Sequence, residues 1–221
     1  MALKKSYRLL RQCVKLFTPK VKTVWEVPYD GGPAVFCPNH ARAWGPINMC
    51  VYFPLWRTVR PWYNAGVADR ERLPAYIRND NWWDPNSRLA PLYDAVIPRL
   101  GALVMPPVIH STPGIPVYYD AKVYTTFKQS VEALKNGDQP VIFAQYPDGY
   151  KSHSESLSRG FVLLAPLAWR KAKLKVKFYP VHVDQDERTI TVMAPVEYDP
   201  DAPWEEEQQR LLAYLGERVK D

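Results

Sequence analysis

The residues best suited to chemistry are Asn39 and His40, which follow a short apolar run. Residues 34–37 have the pattern of a buried strand, and Pro38 ends it, so Asn39 and His40 fall where a strand empties into a loop. Catalytic and ligand-binding side chains often lie there, because backbone donors are free and the scaffold is rigid. A neutral imidazole in this setting can act as a general base. An ordinary hydrogen-bonded histidine is the alternative that the local pattern leaves open.

The cysteines and the remaining histidines offer little further chemistry. Cys13, Cys37 and Cys50 form no C-x-x-C pair, and the odd number without a secretory signal predicts a reducing, cytoplasmic compartment. The four histidines lack the spacing of zinc ligands, so no metal site is expected. Cys37 lies within an apolar strand and has no cationic neighbour in sequence, which favours inert burial over nucleophilic catalysis.

The elements that must position these residues indicate an α/β fold. A chain of 221 residues, 47% of them apolar, can bury one sizeable core. Strands alternate with helices, which predicts a mixed, mostly parallel central sheet flanked by helices. Strands are expected at 21–27, 34–37, 60–64, 115–120, 141–143, 176–183 and 190–196, and helices at 47–56, 125–135, 159–171 and after 201. The turn at 30–33 predicts that the first two strands pair as a hairpin. No uninterrupted run of about 18 apolar residues is present, so no spanning helix is expected.

The positive charge of the chain is concentrated at the N-terminus. The net charge is +6, and residues 1–22 contain no acid. The seven cations of this segment are Lys4, Lys5, Arg8, Arg11, Lys15, Lys20 and Lys22, and Leu3, Tyr7, Leu10, Val14 and Phe17 follow a helical spacing between them. A basic amphipathic helix at 1–22, preceding a domain at 23–221, can lie on an anionic membrane or pack on the domain. The first alternative places the protein peripherally on the inner face of the membrane. Nucleic acid is not an expected partner, because no binding motif accompanies the charge.

Beyond these patterns, the order of features resembles the 1-acylglycerol-3-phosphate acyltransferases, a glycerolipid acyltransferase family with an N-H-x-x-x-x-D signature. A basic N-terminal helix and a Gly-Pro turn precede the strand and Asn39-His40, and a later helix ends in Leu134-Lys135-Asn136-Gly137. A short strand with a loop similar to the F-P-E-G segment follows, then a helix near Arg159 and the strand at 178–183. The resemblance implies a glycerolipid acyltransferase-like fold and a role in phospholipid biosynthesis.

The resemblance also implies a reaction. A fatty acyl group moves from an acyl thioester, on coenzyme A or an acyl carrier protein, to the hydroxyl of a glycerolipid or lysophospholipid. The thioester is a substrate, and no bound cofactor is implied. His40 would be the general base, the motif aspartate would hold its tautomer, and an arginine with the F-P-E-G segment would bind the acceptor phosphate.

The first motif departs from the family pattern at its aspartate. The four residues after His40 include Arg42, and the aspartate position is Gly45. Glycine cannot orient an imidazole, and loss of the orienting carboxylate costs serine hydrolases roughly ten-thousandfold in turnover. The substitute is then an acid from elsewhere, namely Asp84, Asp120 or Asp148, or a backbone carbonyl.

The phosphate-binding motifs depart as well. Tyr119 stands at the position of the arginine, and Lys122 is the nearest cation. The third motif fits in two registers: 143–146, with Gln145 in place of the glutamate, or 146–149, which contains Asp148 and Gly149. Spacing favours the first register. Lys151 and Arg159 are the cations that remain for a phosphate, although solvated basic side chains are an equal alternative.

These features support three functional hypotheses. The first is an acyltransferase with His40 as its base. The second is a pseudoenzyme that binds lipid in the same groove without turnover, which the degenerate motifs favour. The third is an enzyme of the same fold with a different acceptor.

Overall fold

The computed structural model describes residues 3–41, 44–79, 83–84, 86–144 and 159–219. Within these ranges the chain forms seven α-helices and one sheet of eight strands. The helices are α1 (Lys5–Phe17), α2 (Trp44–Val51), α3 (Leu73–Asn79), α4 (Ala90–Ser111), α5 (Val123–Lys135), α6 (Leu164–Ala172) and α7 (Trp204–Arg218). The strands are β1 (Lys22–Trp25), β2 (Ala34–Pro38), β3 (Val59–Asn64), β4 (Ile115–Val117), β5 (Gln139–Val141), β6 (Lys177–Asp184), β7 (Thr189–Val192) and β8 (Val196–Glu197).

The sheet is mixed and mostly parallel, as the alternation of strands and helices predicts. Its order is β1-β7-β6-β2-β5-β3-β4, with β8 beside β6. The strands β6, β2, β5, β3 and β4 all run in one direction, and β7 and β8 are antiparallel to β6. The carboxyl ends of the five parallel strands therefore share one edge of the sheet, where ligands usually bind in α/β folds.

The expected hairpin between the first two strands was wrong. β1 pairs in parallel with β7, with Trp25 opposite Val192, so β7 and β6 lie between β1 and β2. The turn itself is present, because the Asp30 carboxylate accepts a hydrogen bond from the Gly32 amide and pairs with Lys177 at the start of β6. The half-exposed ion pair connects the turn to the start of β6, and the pairing of β1 with β7 leaves two strands between β1 and β2.

Both faces of the central strand β2 are covered. One face packs on α5, α6 and α7 through a core that includes Cys37 and Phe178. The other packs on α2, where Met49 and Phe53 meet Phe36. All five residues of β2 are buried, and burial raises the pKa of the Cys37 thiol, in keeping with its expected inert role.

The helix α1 packs on the domain through the side that carries Tyr7. The Tyr7 hydroxyl donates to the Cys50 carbonyl (2.9 Å), and the Arg11 guanidinium stacks 3.8 Å from the centroid of the Trp56 ring. Phe17, which the helical spacing groups with Tyr7, is instead 87% exposed. The apolar stripe expected to contact a membrane is thus partly used for packing.

The helix α4 departs from the expectation that the chain contains no helix able to span a membrane. By length and composition it can cross a membrane, and only 11% of its apolar window is buried. The search for an uninterrupted apolar run missed it, because Asp94 and Arg99 interrupt the apolar pattern and Pro98 lies inside the helix. The segment 90–111 is therefore one long apolar helix, which is absent from the elements expected from the sequence.

Candidate functional site

Asn39 fixes the end of β2 by extending its pairing with β6. Its backbone N–H donates to the Val181 carbonyl (3.1 Å). Its side chain then forms two bonds with one residue: Oδ1 accepts from the Val183 N–H (2.7 Å), and Nδ2 donates to the Val183 carbonyl (3.2 Å). The buried amide thus takes the place of a peptide group in the β2–β6 ladder. Asn39 is a positioning residue that determines where the next residue lies.

His40 lies at the carboxyl edge of the sheet, between β2, β5 and α2. The residue is half-buried, and its ring packs against Phe143 with 5.3 Å between ring centroids and 54° between planes. Phe143 is held beside β2 because the preceding residue, Ile142, donates its N–H to the Phe36 carbonyl (2.8 Å). The structure therefore brings together the strand ends that the sequence assigns to the first and third motifs.

The chain turns sharply after His40 to start α2. Ala41 has a positive φ of 39°, a left-handed conformation uncommon for a residue with a side chain. The Trp44 N–H donates to the Ala41 carbonyl (3.1 Å), and the Gly45 N–H donates to the His40 carbonyl (3.2 Å). Arg42 lies outside the described residues.

Gly45 has no space for a side chain. A Cβ built on this residue would collide with the backbone carbonyl oxygens of His40 and Asn39. An aspartate at the family position would therefore require the backbone of the turn to move. The close approach of α2 to the end of β2 explains the glycine, and His40 must be oriented by another group.

Two of the three substitute acids have roles in their own loops. The Asp84 carboxylate accepts from the Asn86 N–H (2.9 Å), and the Asp120 carboxylate accepts from the Lys122 N–H (2.8 Å). Asp148, the third, lies outside the described residues. Asp84 and Asp120 therefore each accept a hydrogen bond within a local turn, which accounts for their presence without a contact to His40.

Of the residues expected to bind phosphate, Tyr119 lies well away from His40. Tyr119 follows β4 and is 84% exposed, and Lys122 directly precedes α5 and is also exposed. β4 is three strands from β2, which corresponds to about 14 Å between strand axes at the usual spacing. Gln145, Asp148, Gly149 and Lys151 lie outside the described residues. Arg159 is exposed at the start of the segment that leads into α6.

Asn48 is a site residue that the sequence reasoning missed. It lies on α2, one turn after Trp44, and is 1% exposed. Its Nδ2 donates to Oε1 of Gln185 (3.4 Å), which follows β6 at the same edge of the sheet. The sequence pattern that could have identified it is a polar amide inside the apolar segment 47–56. Such an amide is expected to be buried, and a buried polar group needs a hydrogen-bond partner. Asn48 thus links α2 to the strand that also holds Asn39.

The described residues contain no group of three His, Cys, Asp or Glu side chains that could hold a metal ion. No protein-family model matches the chain, and no curated protein matches it.

Proposed function

We propose that the protein is an acyltransferase that moves a fatty acyl group from an acyl thioester to a hydroxyl acceptor, with His40 as general base. One observation carries this proposal. Asn39 holds His40 at the carboxyl edge of a central parallel strand, where the ring is half-buried beside Phe143. A base fixed on a rigid strand, at the edge where α/β proteins place their ligands, suits transfer to a weak nucleophile.

The reaction needs one proton relay. The His40 imidazole takes the proton of the acceptor hydroxyl as the oxygen attacks the thioester carbonyl carbon. The tetrahedral intermediate collapses by breaking the C–S bond, and the imidazolium returns its proton to the thiolate. The products are an ester and a free thiol, and the thiol belongs to coenzyme A or to an acyl carrier protein.

A glycerolipid or lysophospholipid is the proposed acceptor. The seven cations among residues 3–22, without an acid, favour partners that are anionic and membrane-resident. Arg159 and Lys122 are exposed and can add to this attraction, because arginine and lysine make charge-assisted hydrogen bonds to phosphate groups.

Gly45 supports a second candidate, a lipid-binding pseudoenzyme of the same fold. The space that the motif carboxylate would need is filled by the His40 and Asn39 carbonyls. Such a protein would bind lipid at this edge of the sheet without turning it over. An enzyme with another acceptor is favoured instead by Tyr119, which removes the phosphate-binding charge of the family pattern.

The test is acyl transfer from a long-chain acyl thioester to lysophosphatidic acid or glycerol 3-phosphate by wild type and His40→Ala. We expect the substitution to lower turnover by roughly 10²- to 10⁴-fold, the usual contribution of a general base. His110→Ala is the matched control, because this histidine is exposed on α4 and its backbone carbonyl makes the contact with Lys4.

Each outcome distinguishes the candidates. Turnover lost in His40→Ala and kept in His110→Ala supports the general base. Equal turnover in wild type and His40→Ala refutes it. Lipid retention without turnover in the wild type supports the pseudoenzyme, and turnover only with acceptors that lack phosphate supports the third candidate.

A further inference from the structure

The helix α4 exposes a continuous aliphatic surface, which we call the α4 stripe. It consists of Leu92, Val96, Leu100, Leu103 and Val104, each between 40% and 56% exposed. Their spacing places all five on one side of the helix, over about 18 Å of its length. Large exposed aliphatic surfaces of this kind mark interaction sites in soluble proteins.

The α4 stripe is not the side by which α4 packs on its own chain. Pro98, Ala102 and Pro106 are buried on the other side of the helix. There, Gly101 lies so close to α3 that a Cβ would collide with the Ile77 side chain. The packing requirement of α4 is therefore met by α3, and the stripe remains available for a partner.

We infer that the α4 stripe docks into the interfacial region of an anionic lipid bilayer. Its exposed side chains are aliphatic, with half-buried Tyr93 inside its span and exposed Arg99 at its border, and such amphipathic side chains are favoured at the boundary between headgroups and hydrocarbon. The basic helix α1 adjoins it, because Lys4 donates to the backbone carbonyl of His110 in the last turn of α4. α1 itself exposes Leu9, Leu16 and Phe17 beside its cations. An apolar face bordered by lysines and arginines is the pattern of helices that lie in the headgroup region.

The exposed area argues against a second copy of the chain as the occupant. Five side chains, each about half exposed, present an area on the order of 500 Å², within the range of the largest patches on monomers. A stable protein interface needs about 800 Å² on each partner. Insertion into lipid has no such threshold, because additional affinity comes from the cations of α1.

The contacts of α4 also favour a helix lying in the plane of the membrane over one that crosses it. Arg78 of α3 pairs with Asp94 in the first turn and a half of α4, with 2.9 Å between Nε and Oδ1. A spanning orientation would carry this ion pair and the packed side of α3 towards the hydrocarbon, at a high desolvation cost. An interfacial orientation buries only the stripe.

The helix that carries the stripe packs, by its other side, next to the edge of the sheet that carries His40. Ile97, Met105 and Ile109 of α4 pack in a cluster with Val67, which belongs to the 3-10 turn directly after β3. The carboxyl end of β3 lies at the same edge as the end of β2. Docking would thus bring this edge of the sheet towards the lipid. A lipid acceptor could then reach His40 from the bilayer, a consequence that rests on the proposed function.

Vesicle flotation tests the inference without measuring turnover. Full-length wild type and the double variant Leu100→Glu/Leu103→Glu are mixed with vesicles of phosphatidylcholine containing phosphatidylglycerol. We expect the wild type to float with the vesicles and the variant to lose at least tenfold in apparent affinity. Val27→Glu is the matched control, since Val27 is 43% exposed outside the stripe and should bind as wild type does. Far-UV circular dichroism and thermal unfolding establish that both variants are folded.

The possible outcomes distinguish a lipid bilayer from a second copy of the chain as the partner of the stripe. Equal binding by wild type and the folded stripe variant overturns the inference, as does failure of the wild type to bind. A wild-type dimer in light scattering that becomes a monomer in Leu100→Glu/Leu103→Glu assigns the stripe to a second copy and also overturns it. Flotation that depends on the stripe, in a protein without acyl transfer, would refute the proposed reaction and leave the membrane surface standing.

Discussion

The lack of space around Gly45 leads to a prediction about restoring an aspartate at this position. Restoring the motif with Gly45→Asp would be expected to improve catalysis if only the carboxylate were missing. In the structure, any Cβ at residue 45 collides with the carbonyl oxygens of His40 and Asn39. We therefore expect Gly45→Asp to lower both stability and activity.

The expected magnitude follows from the nature of the contact. Overpacking costs typically about 1–3 kcal/mol, and the upper end applies when the obstruction is backbone instead of a flexible side chain. For a chain of 221 residues, each kcal/mol lowers the melting temperature by about 2–4 °C. A loss of about 3 kcal/mol thus corresponds to a melting temperature lower by roughly 6–12 °C.

Two alanine variants isolate the steric cause. Gly45→Ala adds the same Cβ without charge, so its free energy of unfolding in urea should fall nearly as far as that of Gly45→Asp. Gly160→Ala is the matched control, because nothing lies within 4 Å of a Cβ there, and its change should stay within about 0.5 kcal/mol. Wild-type stability of Gly45→Ala, or faster acyl transfer by Gly45→Asp, would refute the reasoning.

Two further substitutions test the contacts that support the site and the sheet. Asn39→Asp replaces the donor Nδ2 with an oxygen that faces the Val183 carbonyl. The free energy of unfolding, measured by urea titration, should therefore fall by about 3 kcal/mol. A fall of less than about 0.5 kcal/mol would contradict the role of Asn39 in extending the β2–β6 pairing. Asp138→Ala leaves Arg60, which is 5% exposed, without its carboxylate partner at 2.7 Å, and should cost about 3–5 kcal/mol. Adding Arg60→Met should recover part of this loss in calorimetry, and no recovery would show that burial of the charge is not the cause.

Local patterns predicted most elements of the fold, because each depends mainly on residues near in sequence. The helix α5 and the strand β6 follow from apolar periodicity and turn residues, and the structure has them within two residues of the expected bounds. Strand pairing could not be predicted in the same way. β1 pairs with β7, where Trp25 lies opposite Val192, 167 residues later in the chain (192 − 25), and no local pattern records such a pairing.

The candidate site was predictable in part for the same reason. Pro38 and the apolar run before it were enough to place Asn39 and His40 at a strand end. The amide bonds from Asn39 to Val183 and the lack of space at Gly45 depend on tertiary packing, which no local pattern records. The helix α4 was missed because its apolar surface is discontinuous in sequence and becomes continuous only when wound into a helix.

The pairing of β2 also constrains when the site can form during synthesis. Its neighbours β5 and β6 lie more than 100 and 140 residues later in the chain, respectively, since Phe36 is opposite Val141 and Tyr179. Such long-range contacts slow folding, because the loop between them must close first. On the ribosome the pairing that positions His40 therefore cannot form until β6 has emerged, whereas the partners of α1, Cys50 and Trp56, follow within about 50 residues. The contacts of the basic helix can thus form well before those that position His40.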